Sequence, residues 1–225
     1  MRLSRRTVDE KVFFIVSDLD VKYHQAVRDL GFQQTETGFA RIFPATSPAL
    51  DQIFRRFALH AEEMILHAAS ALIPKWEDAL SHLLERIVGD DLDWWLTGSA
   101  ALAIRQVDVT PRDIDLVTTG PGARRLAELL HDWLVEPLQQ SEGWVAKWFG
   151  RAYNRSRIEW VGDVEPSVDS PEPSDFGPVA AGKLEVVDWH GFKICVPPLD
   201  LQLRVSERRG LFERARNIRE IIAHS

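Results

Sequence analysis

The chain has 225 residues, of which 45% are apolar and 27% charged, a composition typical of a soluble globular protein with one large core or two small ones. Its net charge of −7 disfavours a protein whose main task is to hold long nucleic acid, because that binding depends on lysine and arginine neutralising phosphates. No apolar run is long enough to span a bilayer or to form a signal peptide, and a single cysteine, Cys195, in an apolar run fits a reducing cytoplasm.

Residues 1–74 predict a small α/β module of unknown role. The apolar run Lys11–Ser17 is typical of a strand, and an aspartate at position 18 or 20 can cap a helix that ends at Gly31. Gln33–Pro44 predicts a hairpin. After Pro48, apolar residues recur at helical spacing and predict a long helix: Leu50, Ile53, Phe54, Phe57, Ala61, Met64, Ile65 and Ala68.

Residues 75–225 predict a second domain, which begins with alternating helices and strands. A helix starts at Trp76 and ends at Gly89, and Asp93–Thr97 predicts a short strand before a helix that starts near Ala100. Arg112–Leu116 predicts the next strand. The helix that follows Gly120-Pro121-Gly122 has apolar residues at Leu126, Leu129, Leu130 and Trp133.

The last third of the chain predicts further strands, a loop and two helices. The strands are expected at Trp144–Phe149 and Arg157–Val161, and Glu165–Pro178, which has no apolar periodicity, is expected to be a long loop. Leu184–Val196 predicts a hairpin that turns at His190-Gly191, and Gly210 separates the two terminal helices. This order suits a mixed sheet with flanking helices.

Gly98 and Ser99 lie between a predicted strand and a predicted helix. Glycine lets a phosphate approach the backbone, the serine hydroxyl can donate to it, and a helix N-terminus favours negative charge. A Gly-Ser turn alone is more often only a turn, so its significance depends on the acidic strand predicted after it.

Asp113 and Asp115 alternate with Ile114 and Leu116. In a strand, both carboxylates would project from one face, about 6 to 7 Å apart, while the apolar residues face the core. A hard divalent cation relieves the repulsion between two such carboxylates, and magnesium is the natural candidate. Aspartates at alternate strand positions are otherwise a common solvated face.

The order of strand, Gly98-Ser99 turn, helix and Asp113-x-Asp115 strand resembles the signature of the polymerase-beta-type nucleotidyltransferase superfamily. Within it, the chain looks most like the small lincosamide and aminoglycoside nucleotidyltransferase-like proteins. Phe149-Gly150-Arg151 and the following Arg157–Asp163 resemble the strand on which that family places its third acidic residue. The resemblance implies an α/β (α+β) fold with a nucleotidyltransferase-type mixed sheet.

By the same resemblance Glu159 is the third metal ligand. Strand alternation favours Glu159 over Asp163, because Glu159 lies mid-strand whereas Asp163 follows Gly162 and is expected beyond the strand. The alternative is that Glu159 only pairs with Arg157 or with a neighbouring strand.

The implied reaction is transfer of a nucleoside monophosphate from a nucleoside triphosphate, with ATP expected, to a hydroxyl group, with pyrophosphate leaving. Asp113, Asp115 and Glu159 would hold two Mg²⁺ ions about 3.5 to 4 Å apart, with Glu159 able to accept the hydroxyl proton. Gly98 and Ser99 would bind the outer phosphates, and Arg112 or Arg204 would balance their charge.

A small-molecule acceptor is favoured, and the acidic loop can attract a cationic one by electrostatic focusing, although such a segment is more often only solvated. The loop contains Asp163, Glu165, Asp169, Glu172 and Asp175. A tRNA or protein acceptor is the first alternative, and it requires the arginine-rich C-terminal segment to lie beside the acids. This segment contains Arg204, Arg208, Arg209, Arg214, Arg216 and Arg219. The second alternative is a non-catalytic nucleotide-binding module.

Overall fold

A computed structural model describes residues 1–141 and 144–224. The elements of its N-terminal part are β1 (Arg2–Val8), β2 (Lys11–Ser17), a 3-10 turn (Val21–Tyr23), α1 (His24–Asp29), β3 (Gln33–Thr35), β4 (Gly38–Pro44) and α2 (Leu50–Ala68). The strands pair antiparallel in the order β1-β2-β4-β3, here called the N-terminal sheet. The predicted strand, hairpin and long helix are confirmed.

Alternation along β2 explains how the N-terminal sheet packs. Val12, Phe14 and Val16 are buried, whereas the residues between them are partly exposed. The ring of Phe14 lies 4.9 Å from that of Phe43 and 5.6 Å from that of Phe57 on α2, so the apolar face of the helix closes over the sheet. Strand β1 escaped prediction because its side chains are largely exposed and basic, without apolar alternation.

The second part of the chain surrounds a larger sheet with helices. Its elements are α3 (Trp76–Ile87), β5 (Trp94–Thr97), α4 (Gly98–Ala103), β6 (Asp113–Thr118), α5 (Gly120–Leu129), β7 (Leu134–Gln140), β8 (Ala146–Asn154), β9 (Ser156–Val164), a 3-10 turn (Pro166–Asp169), α6 (Pro178–Ala181), β10 (Glu185–Trp189), β11 (Phe192–Val196), α7 (Leu199–Arg208) and α8 (Phe212–His224).

The sheet formed in the order β5-β6-β9-β8-β7 is here called the central sheet. Strands β6 and β9 run parallel, and the other neighbours in it run antiparallel, so the predicted mixed sheet is confirmed. The predicted C-terminal hairpin is β10 and β11, and two helices follow it.

Three predicted boundaries are wrong. Helix α5 ends at Leu129 and does not reach Trp133, because the chain turns there to enter β7, an edge strand that the sequence did not reveal. Strand β8 continues past Phe149 to Asn154. Strand β9 extends to Val164, so Asp163 lies inside the strand and not beyond it.

Side chains from both parts of the chain form one buried apolar cluster. It runs from Val12 on β2 to Val196 on β11, and α2 packs against β7 of the central sheet. The division into two domains near residue 74 stays a prediction. Over the described residues, no helix is both long and apolar enough to cross a membrane.

Candidate active site

Three carboxylates converge where β6 and β9 run side by side. The parallel register places Asp115 opposite Glu159 and Asp113 opposite Arg157. Carboxylate oxygens of Asp113, Asp115 and Glu159 all lie within 4.8 Å of one another. We call these three residues the acid cluster. An all-oxygen donor set of this kind suits a hard divalent cation such as Mg²⁺.

Within the acid cluster, the charged form of Asp115 is disfavoured. Burial raises the pKa of Asp115 well above its usual range, and the charges of Asp113 and Glu159 raise it further. Burial also acts to raise the pKa of Glu159, but the neighbouring guanidinium groups of Arg151 and Arg157 outweigh it and lower that pKa. Glu159 is therefore held in the charged form, while Asp115 retains its proton more readily unless a cation lies beside it.

The glycine turn lies against the acid cluster. Gly98 has a φ of +66°, in the left-handed region, and a Cβ atom at this position would lie 2.6 Å from Oδ2 of Asp115. Ser99 follows it in α4 and is buried, and Gln202 on α7 donates to the Gly98 carbonyl at 3.2 Å. The turn and the aspartate strand, predicted from separate motifs, are thus in direct contact.

Two arginines hold Glu159 by the same oxygen. Arg151 Nε donates to Glu159 Oε1 at 2.7 Å, and Arg157 Nε forms an ion pair with that oxygen at 2.8 Å. Arg157 also pairs with Asp113 Oδ2. Glu159 therefore pairs both with Arg157 and with Arg151 on the neighbouring strand, as expected if pairing were its only role. The same residue also converges with the other two carboxylates.

A cavity of about 750 Å³ opens on the Ser99 side of the acid cluster. We call it the cationic cavity after the four arginines in its lining, Arg112, Arg157, Arg209 and Arg214. They lie among carboxylates, namely Asp29, Asp108, Asp113, Asp115 and Glu213. Burial, followed by the nearby charge of Arg209, lowers the pKa of Arg214. Guanidinium groups crowded in this way favour a polyanion such as a triphosphate.

A second cavity, of about 700 Å³, opens on the other side of the acid cluster. We call it the aromatic cavity because Trp144, Phe149 and Phe176 line it, together with the carboxylates of Asp29 and Asp175. Both cavities include Gly98 and Asp115 in their lining, so they meet at the turn and the acid cluster.

The acidic loop folds back onto the site instead of extending into solvent. Asp169 accepts hydrogen bonds from the Ser174 backbone at 2.8 Å and from Val179 N at 2.8 Å, which closes the loop. Thr97 Oγ1 donates to the Asp175 carbonyl at 2.9 Å and places Asp175 beside the turn. Asp163, in contrast, accepts from Gly120 N at 2.7 Å and serves the start of α5.

The arginine-rich C-terminal segment is mostly ion-paired. Arg204 pairs with Asp200 at 2.9 Å and is not among the described residues that line either cavity. Three more arginines of the segment pair with carboxylates: Arg208 with Glu172, Arg216 with Glu213 and Glu220, and Arg219 with Glu207. Arg209 and Arg214 are the members of this segment that line the cationic cavity, and the phosphate-binding role of Arg204 stays a prediction.

No protein-family model and no curated protein sequence matches the chain. Among solved structures, a candidate nucleotidyltransferase from Thermotoga maritima is similar, with a TM-score of 0.50 and 22% identity over 67% of this chain and 94% of that chain. The chain has a nucleotidyltransferase-like fold.

Two weaker structural similarities involve antibiotic-modifying proteins. The lincosamide antibiotic adenylyltransferase LnuA, solved with lincomycin, has a TM-score of 0.45 and 13% identity over 64% of this chain and 97% of that chain. ANT(2″)-Ia, solved with adenylyl-2″-tobramycin, has a TM-score of 0.42 and 14% identity over 64% of this chain and 88% of that chain.

Within the nucleotidyltransferase-like fold, sequence reasoning missed several residues that surround the acid cluster. Arg151 lies in an otherwise apolar stretch of β8, and Glu136 interrupts the apolar start of β7, so a charge inside an apolar strand was the available signal. Asp29 had no such signal, whereas Asp175 belongs to the acidic loop that the sequence already indicated. They reach the site because the α1 turn and the acidic loop fold onto it.

Proposed function

We propose that the chain is a metal-dependent nucleotidyltransferase that moves a nucleoside monophosphate from a nucleoside triphosphate, with ATP expected, to a hydroxyl group of a small molecule and releases pyrophosphate. The observation that carries this proposal is the acid cluster, with carboxylate oxygens within 4.8 Å of one another beside the Gly98 turn. The meeting of a cationic and an aromatic cavity at that cluster supports it, since a triphosphate and an acceptor need adjoining sites.

Asp113, Asp115 and Glu159 would hold Mg²⁺, and the proposal includes two ions. The fit rests on the donor set, which consists of carboxylate oxygens, and on the raised pKa of Asp115, which a cation would relieve. Bound magnesium would activate the acceptor hydroxyl and neutralise charge on the triphosphate.

Residues of the chain itself would bind the phosphates and accept the proton. Gly98 and Ser99 would bind the outer phosphates together with Arg112, and Arg209 and Arg214 would neutralise them in the cationic cavity. The acceptor oxygen would form a bond to the α-phosphorus, while the bond from that phosphorus to the pyrophosphate oxygen breaks and its electron pair leaves with pyrophosphate. Glu159 would accept the hydroxyl proton at Oε2, the oxygen that its arginines leave unpaired, although the same arginines lower its pKa and weaken it as a base.

The aromatic cavity is the proposed acceptor site. Trp144 is 47% exposed and its ring packs edge-on against Phe149, which leaves an indole face available to a ring of the acceptor. The carboxylates of Asp29 and Asp175 support a cationic acceptor, against the charge of Arg41, Arg151 and Arg209 in the same lining.

A tRNA or protein acceptor stays the alternative, because Arg209 and Arg214 of the C-terminal segment line the cavity at Asp113 and Asp115. The small-molecule acceptor is preferred because Arg204, Arg208 and Arg219 of the same segment are paired with carboxylates. The single cysteine supports the cytoplasm as the proposed compartment.

The proposal is tested with labelled nucleoside triphosphates, Mg²⁺ and a library of hydroxylated, cationic small molecules, with pyrophosphate release and product mass as readouts. Asp113→Asn and Asp115→Asn should each reduce turnover by about 100-fold or more. Asp163→Asn is the matched control, because it changes an aspartate on β9 that serves α5 and should keep turnover within about threefold.

Two results would contradict the proposal in different ways. Nucleotide binding without pyrophosphate release, with every acceptor, would identify a non-catalytic module. Nucleotide affinity that is independent of Mg²⁺ and unchanged in both aspartate variants would remove the metal site itself.

A further inference from the structure

A series of alternating charges connects the N-terminal sheet to the acid cluster. Arg41 on β4 donates to Glu136 Oε2 through Nε at 3.0 Å and through Nη2 at 2.8 Å. Arg151 pairs with the other oxygen of Glu136 and donates through Nε to Glu159 Oε1 at 2.7 Å. We call Arg41, Glu136, Arg151 and Glu159 the charge series.

The two middle members of the charge series are buried, its two ends are partly exposed, and both arginines are anchored to the N-terminal backbone. The side chains of Glu136 and Arg151 are 2% and 6% exposed. Arg151 Nη1 also donates to the Leu30 carbonyl at 2.8 Å, and Arg41 Nη1 donates to the Gly31 carbonyl at 3.2 Å. Since a buried charge that loses its partner is strongly destabilised, each member holds its neighbours in place.

We propose that Arg41 is a positioning residue for the third carboxylate of the acid cluster. Acting through Glu136 and Arg151, it fixes Glu159 by Oε1 and leaves Oε2 for a metal ion. This gives the N-terminal part a task in the metal site, although Arg41 lies on a different sheet from all three carboxylates. The inference rests on the metal-binding role proposed above for the acid cluster.

Loss of Arg41 would change the position of Arg151. Glu136 would retain Arg151 and Gln139, which donates to Oε2 at 3.1 Å, and its buried charge would draw the Arg151 guanidinium away from Glu159. Glu159 would then be held less firmly and metal affinity would fall. Coulomb's law alone predicts the opposite, because removing a positive charge should tighten the binding of a cation. A higher metal Kd in the variant would therefore indicate a positioning role, whereas a lower Kd would indicate a charge effect alone.

The test measures Mn²⁺ binding by electron paramagnetic resonance on the full chain without nucleotide. Arg41→Gln should raise the Mn²⁺ Kd by about 5- to 10-fold, the range expected when a partner behind a metal ligand is lost. Arg56→Gln is the matched control. Arg56 on α2 donates to the His131 carbonyl at 2.6 Å and so fastens the same N-terminal part to the turn before β7 without touching the charge series. Its Mn²⁺ Kd should stay within about twofold of the wild type.

A double-substitution cycle tests the route of the effect. If Arg41 acts through Glu136, Arg41→Gln introduced into a Glu136→Gln background should change the Kd by less than about twofold, while Glu136→Gln alone weakens binding. A full additional effect in that background would overturn the proposed route.

Other outcomes would also overturn the inference. Equal losses in Arg41→Gln and Arg56→Gln would assign the effect to loosened packing of the N-terminal part. An unchanged Mn²⁺ Kd with a raised KM for the acceptor would mean that Arg41, which lines the aromatic cavity, contacts substrate directly. Absence of Mn²⁺ binding by the wild-type chain would refute the proposed function and this inference with it, whereas the other outcomes refute this inference alone.

Discussion

Substituting Gly98 with alanine tests the contact between the turn and the acid cluster. The new Cβ would lie 2.6 Å from Asp115 Oδ2, so the oxygen must retreat by about 0.8 Å to reach an ordinary contact distance of 3.4 Å. A metal site tolerates changes in ligand position of only about 0.2 Å. We therefore expect Gly98→Ala to raise the Mn²⁺ Kd by about 10-fold or more.

The substitution also strains the backbone, and that effect needs its own control. An alanine in the left-handed region costs about 1 to 2 kcal/mol, which lowers Tm by about 2 to 8 °C in a protein of this size. Gly89 has a φ of +86°, and a Cβ atom there would meet nothing within 4 Å, so Gly89→Ala introduces the same strain without the clash. Calorimetry should show comparable Tm losses, while Mn²⁺ titration should show weakened binding only for Gly98→Ala. Wild-type Mn²⁺ affinity in Gly98→Ala, or equal weakening in both variants, would refute the reasoning.

Two further predictions concern charge. Asp115→Asn should raise the free energy of unfolding of the metal-free chain at pH 8, by about 1.4 kcal/mol for each pKa unit relieved. Because the folded Asp115 carboxyl holds its proton more tightly than the unfolded one, this carboxyl destabilises the fold only as pH rises, so the difference between variant and wild type should vanish in acid. Urea unfolding with a chelator would measure both. Arg214→Gln should raise the nucleotide KM about 10-fold in steady-state kinetics, because it removes a guanidinium group from the cationic cavity. Arg204→Gln, which removes a surface pair with Asp200, should leave that KM unchanged. Equal effects of the two substitutions would support the phosphate-binding role first predicted for Arg204.

Much of the fold followed from local patterns. A short apolar run predicted β2, alternation predicted the aspartate strand β6, and helical spacing predicted α2 and α3. Glycines marked the ends of several of these elements. The patterns failed at β1 and β7, whose side chains do not show a simple alternation of buried and exposed positions. A strand without apolar periodicity can be recognised only when the neighbouring strand that it pairs with is known.

The candidate site, like the fold, was predicted only in part from local spacing. The spacing of Asp113 and Asp115 placed two carboxylates on one strand face, because strand geometry is local. Assigning Glu159 as their companion came from a family resemblance, and its metal role remains a prediction.

Tertiary structure alone decided which charges surround these residues. The parallel pairing of β6 with β9 brings Glu159 opposite Asp115, and the fold supplies Arg41, 95 positions before Glu136. It also turned Asp163 toward α5 and Arg204 toward Asp200. Periodicity reports which face of its own element a side chain occupies, whereas the partner of a charge depends on strand order and packing between distant segments, which no local spacing encodes.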